Sequence, residues 1–169
     1  MWHVSEPAEQ DAPCPTTEEI ALLRQWDGLQ AAFRRLSGQL LDDVEAKAGV
    51  APSSFQVLWY LMSAQDHTAR MNQLARTLDF STAGTTKVAD RLAEAGLIAR
   101  SPSAEDRRVI LVTLTEQGLR VGTEAALALA GALRERAVGP LGVERFATVS
   151  EALVSLGPDA HRQCPASGC

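Results

Sequence analysis

The chain has 169 residues, is 46% hydrophobic and 22% charged, and carries a net charge of -5, the make-up of one packed domain with or without an arm. These proportions exclude wholesale disorder, a collagen-like repeat and a disulfide-dense secreted scaffold. Aromatics are only 5% of the chain, so aliphatic side chains must fill the interior.

Residues 1–15 are polar, with Glu6, Glu9 and Asp11 among Pro7, Pro13 and Pro15, and read as a flexible arm, not as a signal peptide. The longest apolar stretch, Ala125 to Leu133, contains Gly131 and falls short of the roughly 20 residues that span a membrane. A soluble cytoplasmic protein without a membrane partner is expected. Cys14, Cys164 and Cys169 all lie in the terminal segments, so no disulfide framework holds the body together, as suits a reduced compartment.

Thr16 and Glu19 have the spacing of a capping box and start a helix. Behind them Leu22, Trp26, Leu29, Phe33, Leu36, Leu40 and Val44 recur at three- and four-residue steps up to Gly49, one seam along a long helix within residues 16–50. The seam serves either an internal core or a second copy of the chain. Pro52 suits the first turn of the next helix, with Phe55, Leu58, Trp59 and Met62 on one face, ending near Gln65. Two short helices follow, Asn72 to Leu78 and Thr82 to Ala95, around an Asp79-Phe80-Ser81 corner in which Ser81 caps the second. Gly96 ends that helix, and Leu97 to Arg100 and Val109 to Leu114 read as a β-hairpin. Residues 51–115 thus have the order helix, corner, helix, wing.

Helix returns at Thr115 and runs to Val138, breaks at Gly139-Pro140 and resumes from Val143 to Leu156, with Phe146, Val149, Leu153 and Leu156 on one face. Residues 116–157 and the first long helix both expose apolar seams, which suits dimerisation helices, and 158–169 is a flexible tail. The expected fold class is mainly α with a small β-hairpin wing.

The charge is unevenly spread. Between Arg70 and Thr115 seven bases (Arg70, Arg76, Lys87, Arg91, Arg100, Arg107, Arg108) face five acids (Asp79, Asp90, Glu94, Glu105, Asp106), so this segment is net positive in an acidic chain. Near phosphates, local charge outweighs distant charge that salt screens over about 10 Å at 0.1 M. A helix followed by a β-tip of this size fits a major groove and the adjoining minor groove of DNA. The second short helix opens with Ser81, Thr82, Gly84, Thr85, Thr86 and Lys87, with Arg91 a turn later: short polar groups suited to base edges or phosphates, or equally caps and a solvated face. The Asp106-Arg107-Arg108 turn is either an ordinary polar turn or an arginine aimed at a narrow minor groove and oriented by the neighbouring carboxylate.

The collinear order Leu74-Ala75, Ser81 to Leu92 with Asp90-Arg91-Leu92, Ala95-Gly96-Leu97-Ile98, Arg100, Asp106-Arg107-Arg108 and Leu114-Thr115-Glu116-Gln117-Gly118 resembles the MarR family of winged-helix transcriptional regulators, over about Thr17 to Leu156. The resemblance implies a homodimer with interlocked end helices on a pseudo-palindromic double-stranded DNA operator. Ser81 to Lys87 would open the recognition helix, Arg108 would enter the minor groove, and Arg107 would contact the backbone. It further implies a small phenolic or other aromatic effector between the dimer helices and the winged lobe, for which Trp26, Arg34, Trp59 and His67 are candidates, the two tryptophans also reading as plain core. Repression is the expected output.

The family's peroxide-sensing branch places a cysteine in the first helix beside tyrosines. Cys14 instead precedes the helix and the only tyrosine is Tyr60, so a thiol-based redox-responsive regulator is an alternative without the usual activating surroundings. His161, Cys164 and Cys169 form a weak metal pattern, and His3 and His67 do not pair, so no metal and no cofactor are expected. There is no nucleophile elbow, phosphate-cradling loop or paired acid and base, which speaks against an enzyme. A dimeric adaptor using the winged module for protein contacts is the alternative from another class.

Overall fold

The computed structural model describes residues 14–78 and 81–156. The expected arm at 1–15, apart from Cys14 and Pro15, the Asp79-Phe80 part of the corner, and the tail with His161, Cys164 and Cys169 lie outside the described residues.

Thr16 and Glu19 form a reciprocal capping box. The Glu19 carboxylate accepts the Thr16 N–H at 2.6 Å, and the Thr16 hydroxyl accepts the Glu19 N–H at 3.2 Å. These bonds hold the Glu19 carboxyl below its ordinary range. Helix α1 then runs Thr17–Ala48 and ends before Gly49 at φ +65°, a left-handed value that glycine adopts without strain. The chain divides into two compact parts, residues 1–36 and 37–169. Along α1 the seam changes character: Leu22, Trp26, Leu29 and Phe33 are exposed while Leu40 and Val44 are buried.

In residues 37–169, α2 (Pro52–Ser63) is the central core helix, with Phe55, Val57, Leu58 and Leu61 buried. A 3₁₀ turn, Gln65–His67, leads into a strand absent from the sequence reading, β1 (Thr68–Arg70). Helices α3 (Met71–Thr77) and α4 (Thr82–Glu94) follow, then β2 (Ile98–Pro102) and β3 (Ile110–Leu114). The expected hairpin is therefore the larger part of a three-stranded antiparallel sheet in the order β1-β3-β2. Thr68 faces Thr113, and their hydroxyls are bonded at 2.9 Å. Three residues are too few to show a two-residue alternation, so β1 had no sequence signal.

Helix α5 (Glu116–Leu133) lays a face of small residues, Gly118, Gly122, Ala125 and Ala132, into the core. These let it approach α2 closely: a Cβ at Gly122 would stand 2.6 Å from Met62 Sδ. The expected break at Gly139-Pro140 is corrected. The helix widens to a π turn at Arg134–Val138, a short helical turn α6 (Gly139–Leu141) follows, and the chain breaks only at Gly142, φ +82°, before α7 (Val143–Val154). Pro140 has no N–H and its ring crowds the carbonyl four residues back. A wider turn, in which the Gly139 N–H donates to the Arg134 carbonyl, carries the helix past it. Arg136 in this turn makes a two-pronged pair with Asp43 of α1, Nε to Oδ2 at 2.6 Å and Nη2 to Oδ1 at 2.9 Å. The guanidinium lowers the Asp43 pKa.

No helix among the described residues is long and apolar enough to cross a membrane.

Candidate nucleic-acid interface

The helix-turn-helix is assembled from α3 and α4. Ser81 caps α4, its Oγ accepting the Gly84 N–H at 3.0 Å. A Cβ on Gly84 would stand 3.0 Å from that same oxygen. One face of α4 is core: Val88, Ala89 and Leu92 are buried. The opposite face carries Thr86 and Lys87, both exposed.

Thr85 departs from the expectation that it stands beside them. It is 1% exposed and its hydroxyl donates to the Ser81 carbonyl at 3.0 Å, so it braces the first turn of α4 from inside. The backbone of Thr82 is in α4. Arg91 is exposed and donates from Nη2 to Ser53 Oγ in the first turn of α2 at 3.3 Å, which ties it to the lobe.

At the wing, Asp106 Oδ1 accepts the backbone N–H of Arg108 at 2.9 Å, and the Val109 N–H donates to the Asp106 carbonyl at 2.9 Å. The carboxylate therefore shapes the turn through the main chain. This corrects the expected grip on the arginine's side chain: no ion pair among the described residues involves the Arg108 guanidinium. Arg107 and Arg108 are both exposed. Arg108 borders a groove of about 490 Å³ between α3, α4 and the base of the wing, with Arg76 and Asn72 on its polar rim and Met71, Ala75, Val109 and Ile110 lining it.

A residue without an assigned role in the sequence reading links wing and helix. Arg100 on β2 pairs through Nη1 with Asp90 of α4 at 2.8 Å, while its Nε and Nη2 are buried with no hydrogen-bond partner among the described residues. Both residues stand in the quoted motif, but only the fold shows that they meet.

Trp26 and Arg34 belong to residues 1–36, Trp59 and His67 to residues 37–169. Trp26 is 55% and Trp59 48% exposed, so neither is plain core in this chain. Trp59 stacks on Phe55 with ring centroids 6.4 Å apart. Arg34 bonds Gln30 one turn back at 3.3 Å, and exposed His67, at φ +51°, places Nδ1 3.3 Å from the Leu61 carbonyl. Cys14 is an exposed thiol.

Residues 48–109 match the MarR family model. Over 91 residues the chain is 35% identical to the HTH-type transcriptional repressor MdtR of Bacillus subtilis, covering 53% of this chain and 56% of that one. Over 101 residues it is 34% identical to the transcriptional repressor MprA of Escherichia coli, covering 60% and 55%. The chain spans about half the length of the curated relatives it matches. Among solved structures, AbsC, a MarR family transcriptional regulator from Streptomyces coelicolor, superposes with a TM-score of 0.71 at 23% identity, covering 86% of this chain and 95% of that one. At that identity the likeness shows the fold alone.

Proposed function

We propose, from the premise that this chain belongs to the MarR family of winged-helix proteins, that it is a homodimeric, sequence-specific DNA-binding transcriptional regulator. It acts in the cytoplasm as a repressor on a pseudo-palindromic operator. The observation that carries this reading is the two-sided build of α4: Val88, Ala89 and Leu92 are buried, while Thr86 and Lys87 face solvent in the same basic segment as the Arg107-Arg108 wing tip.

In this reading α4 enters the major groove and reads base edges through Thr86 and Lys87, with Ser81 and Gly84 bringing its first turn near a phosphate strand. Arg108, on a turn pre-shaped by Asp106, enters the adjoining minor groove, and Arg107 contacts the backbone. Sco3205 from Streptomyces coelicolor, a regulator of the same fold, has been solved in complex with DNA. A dimer places two such lobes about 34 to 36 Å apart on one DNA face. An aromatic effector favouring another lobe spacing releases the operator by its differential affinity for the two arrangements.

Selection from a random duplex library tests the reading. Enrichment of a sequence with two inverted half-sites supports it, and failure to enrich any duplex favours a dimeric adaptor.

A further inference from the structure

Behind the candidate interface two helix ends meet, and one threonine serves both. Helix α4 finishes in a Schellman motif: the Gly96 N–H donates to the Ala93 carbonyl at 3.0 Å and the Leu97 N–H to the Leu92 carbonyl at 2.9 Å, with Gly96 at φ +70°. These bonds take up carbonyls of the last helical turn. The Gly96 and Leu97 carbonyls, one step further on, need donors of their own.

The first turn of α5 supplies them. Thr115 donates its N–H to the Leu97 carbonyl at 3.1 Å. Its hydroxyl lies 2.8 Å from the Gly96 carbonyl and 3.1 Å from that of Leu97, so one proton is shared between the two. The same oxygen accepts the Gly118 N–H at 2.9 Å as the N-cap of α5. Gly118 completes the fit, because a Cβ there would stand 1.9 Å from the Leu97 oxygen. Between Leu97 and Thr115 the chain runs out through the wing and back, so connectivity alone does not set the angle between α4 and α5.

We propose that Thr115 is a positioning residue for DNA binding: its hydroxyl locks the recognition helix to α5, so that the two helices turn as one body and the presentation of α4 follows α5. The proposal rests on the DNA-binding reading above. Thr115 itself touches no DNA in it, since its side chain is committed to Gly96, Leu97 and Gly118.

Two measurements test it. The first needs no DNA. In a background with Cys14, Cys164 and Cys169 changed to serine, spin labels at Glu94→Cys on α4 and Glu124→Cys on α5, both exposed positions, in chains diluted with an excess of unlabelled chain so that a labelled protomer pairs with an unlabelled one, report the distance between the helices. Thr115→Ser, which keeps the hydroxyl, should reproduce the single narrow distribution of the parent, and Thr115→Val should broaden or displace it. Thr115→Asp keeps an acceptor for the Gly118 N–H but has no proton for the carbonyls, so it should cap α5 and still loosen the joint if the valine variant fails to fold. A distribution unchanged in a folded Val or Asp variant overturns the proposal.

The second measurement uses the duplex selected by the parent protein, rebuilt with its half-sites at a series of separations. The parent and Thr115→Ser should share one optimum. The loosened variant should lose about fivefold in affinity there, the worth of one hydrogen bond, with a flattened preference for separation. Equal loss at every separation assigns Thr115 a purely structural role and overturns the proposal. If the parent selects no duplex, the DNA-binding reading falls, while the label distances still decide whether the joint exists.

Discussion

Three short polar residues, Thr16, Ser81 and Thr115, each accept a backbone N–H three positions on and so start α1, α4 and α5. The first two caps were readable from spacing, because capping is a local interaction within one turn. The second duty of Thr115, and the reason that residue 118 is glycine, depend on the Leu97 carbonyl, eighteen positions before Thr115, which no local pattern encodes. The inward turn of Thr85 was equally hidden, since a threonine in a first helical turn has the same sequence signature whether it faces a core or a groove. The glycines give a paired prediction. Gly118→Ala drives a methyl into the Leu97 backbone and should cost roughly 1–3 kcal/mol in urea unfolding, whereas Gly122→Ala clashes with Met62 Sδ, the far end of a flexible side chain able to move, and should cost less. Equal costs would show that α5 shifts as a unit. At the wing, Arg108→Ala should weaken binding to a selected duplex by roughly 1–3 kcal/mol with the circular dichroism spectrum unchanged. Undiminished affinity would remove the wing from the proposed contact.

At the level of elements, the amphipathic helices were legible because their apolar spacing persists over several turns, as in Phe55, Leu58 and Met62 of α2. What escaped the sequence reading was either very short or decided by tertiary context. β1 exists through pairing with β3, and the passage from α5 to α6 bends the expected rule for Gly-Pro by widening one turn. Arg136 in that turn holds Asp43 of α1, and the guanidinium lowers the carboxyl's pKa. A depressed folded-state pKa contributes stability that is present above the unfolded value and lost as pH falls through the folded one. The thermal midpoint of the parent should therefore exceed that of Asp43→Asn by a constant margin near neutrality, and the margin should shrink below about pH 4, where the unfolded carboxyl takes up its proton. A margin independent of pH would mean that the pair contributes nothing through charge.

For the molecule as a whole, most of the large apolar side chains left uncovered among the described residues lie towards the two ends of the chain, with Trp59, Ile110, Leu119 and Leu127 exposed between them. Leu22, Trp26, Leu29 and Phe33 of α1 are exposed, as are Val143, Val149, Leu153 and Val154 of α7. Sequence periodicity shows which face is apolar and not what covers it, so the α1 seam suits either an internal core or a second copy. A second copy is the proposed cover. Phe33, 62% exposed, is a direct probe: Phe33→Glu should give monomers by light scattering with helix content retained, and a variant that stays dimeric would place the interface elsewhere. The acidic total charge is compatible with DNA binding only if the basic stretch from Arg70 to Arg108 acts locally.

That condition is most directly tested by the affinity of the dimer for its selected duplex, measured as salt rises from about 50 to 200 mM, the range over which released counterions dominate protein–DNA affinity. The logarithm of the binding constant should fall in a straight line against the logarithm of salt, with a shallower slope once Arg107 and Arg108 are replaced. Affinity that stays level across the range, or a slope indifferent to both arginines, would contradict a groove-binding lobe.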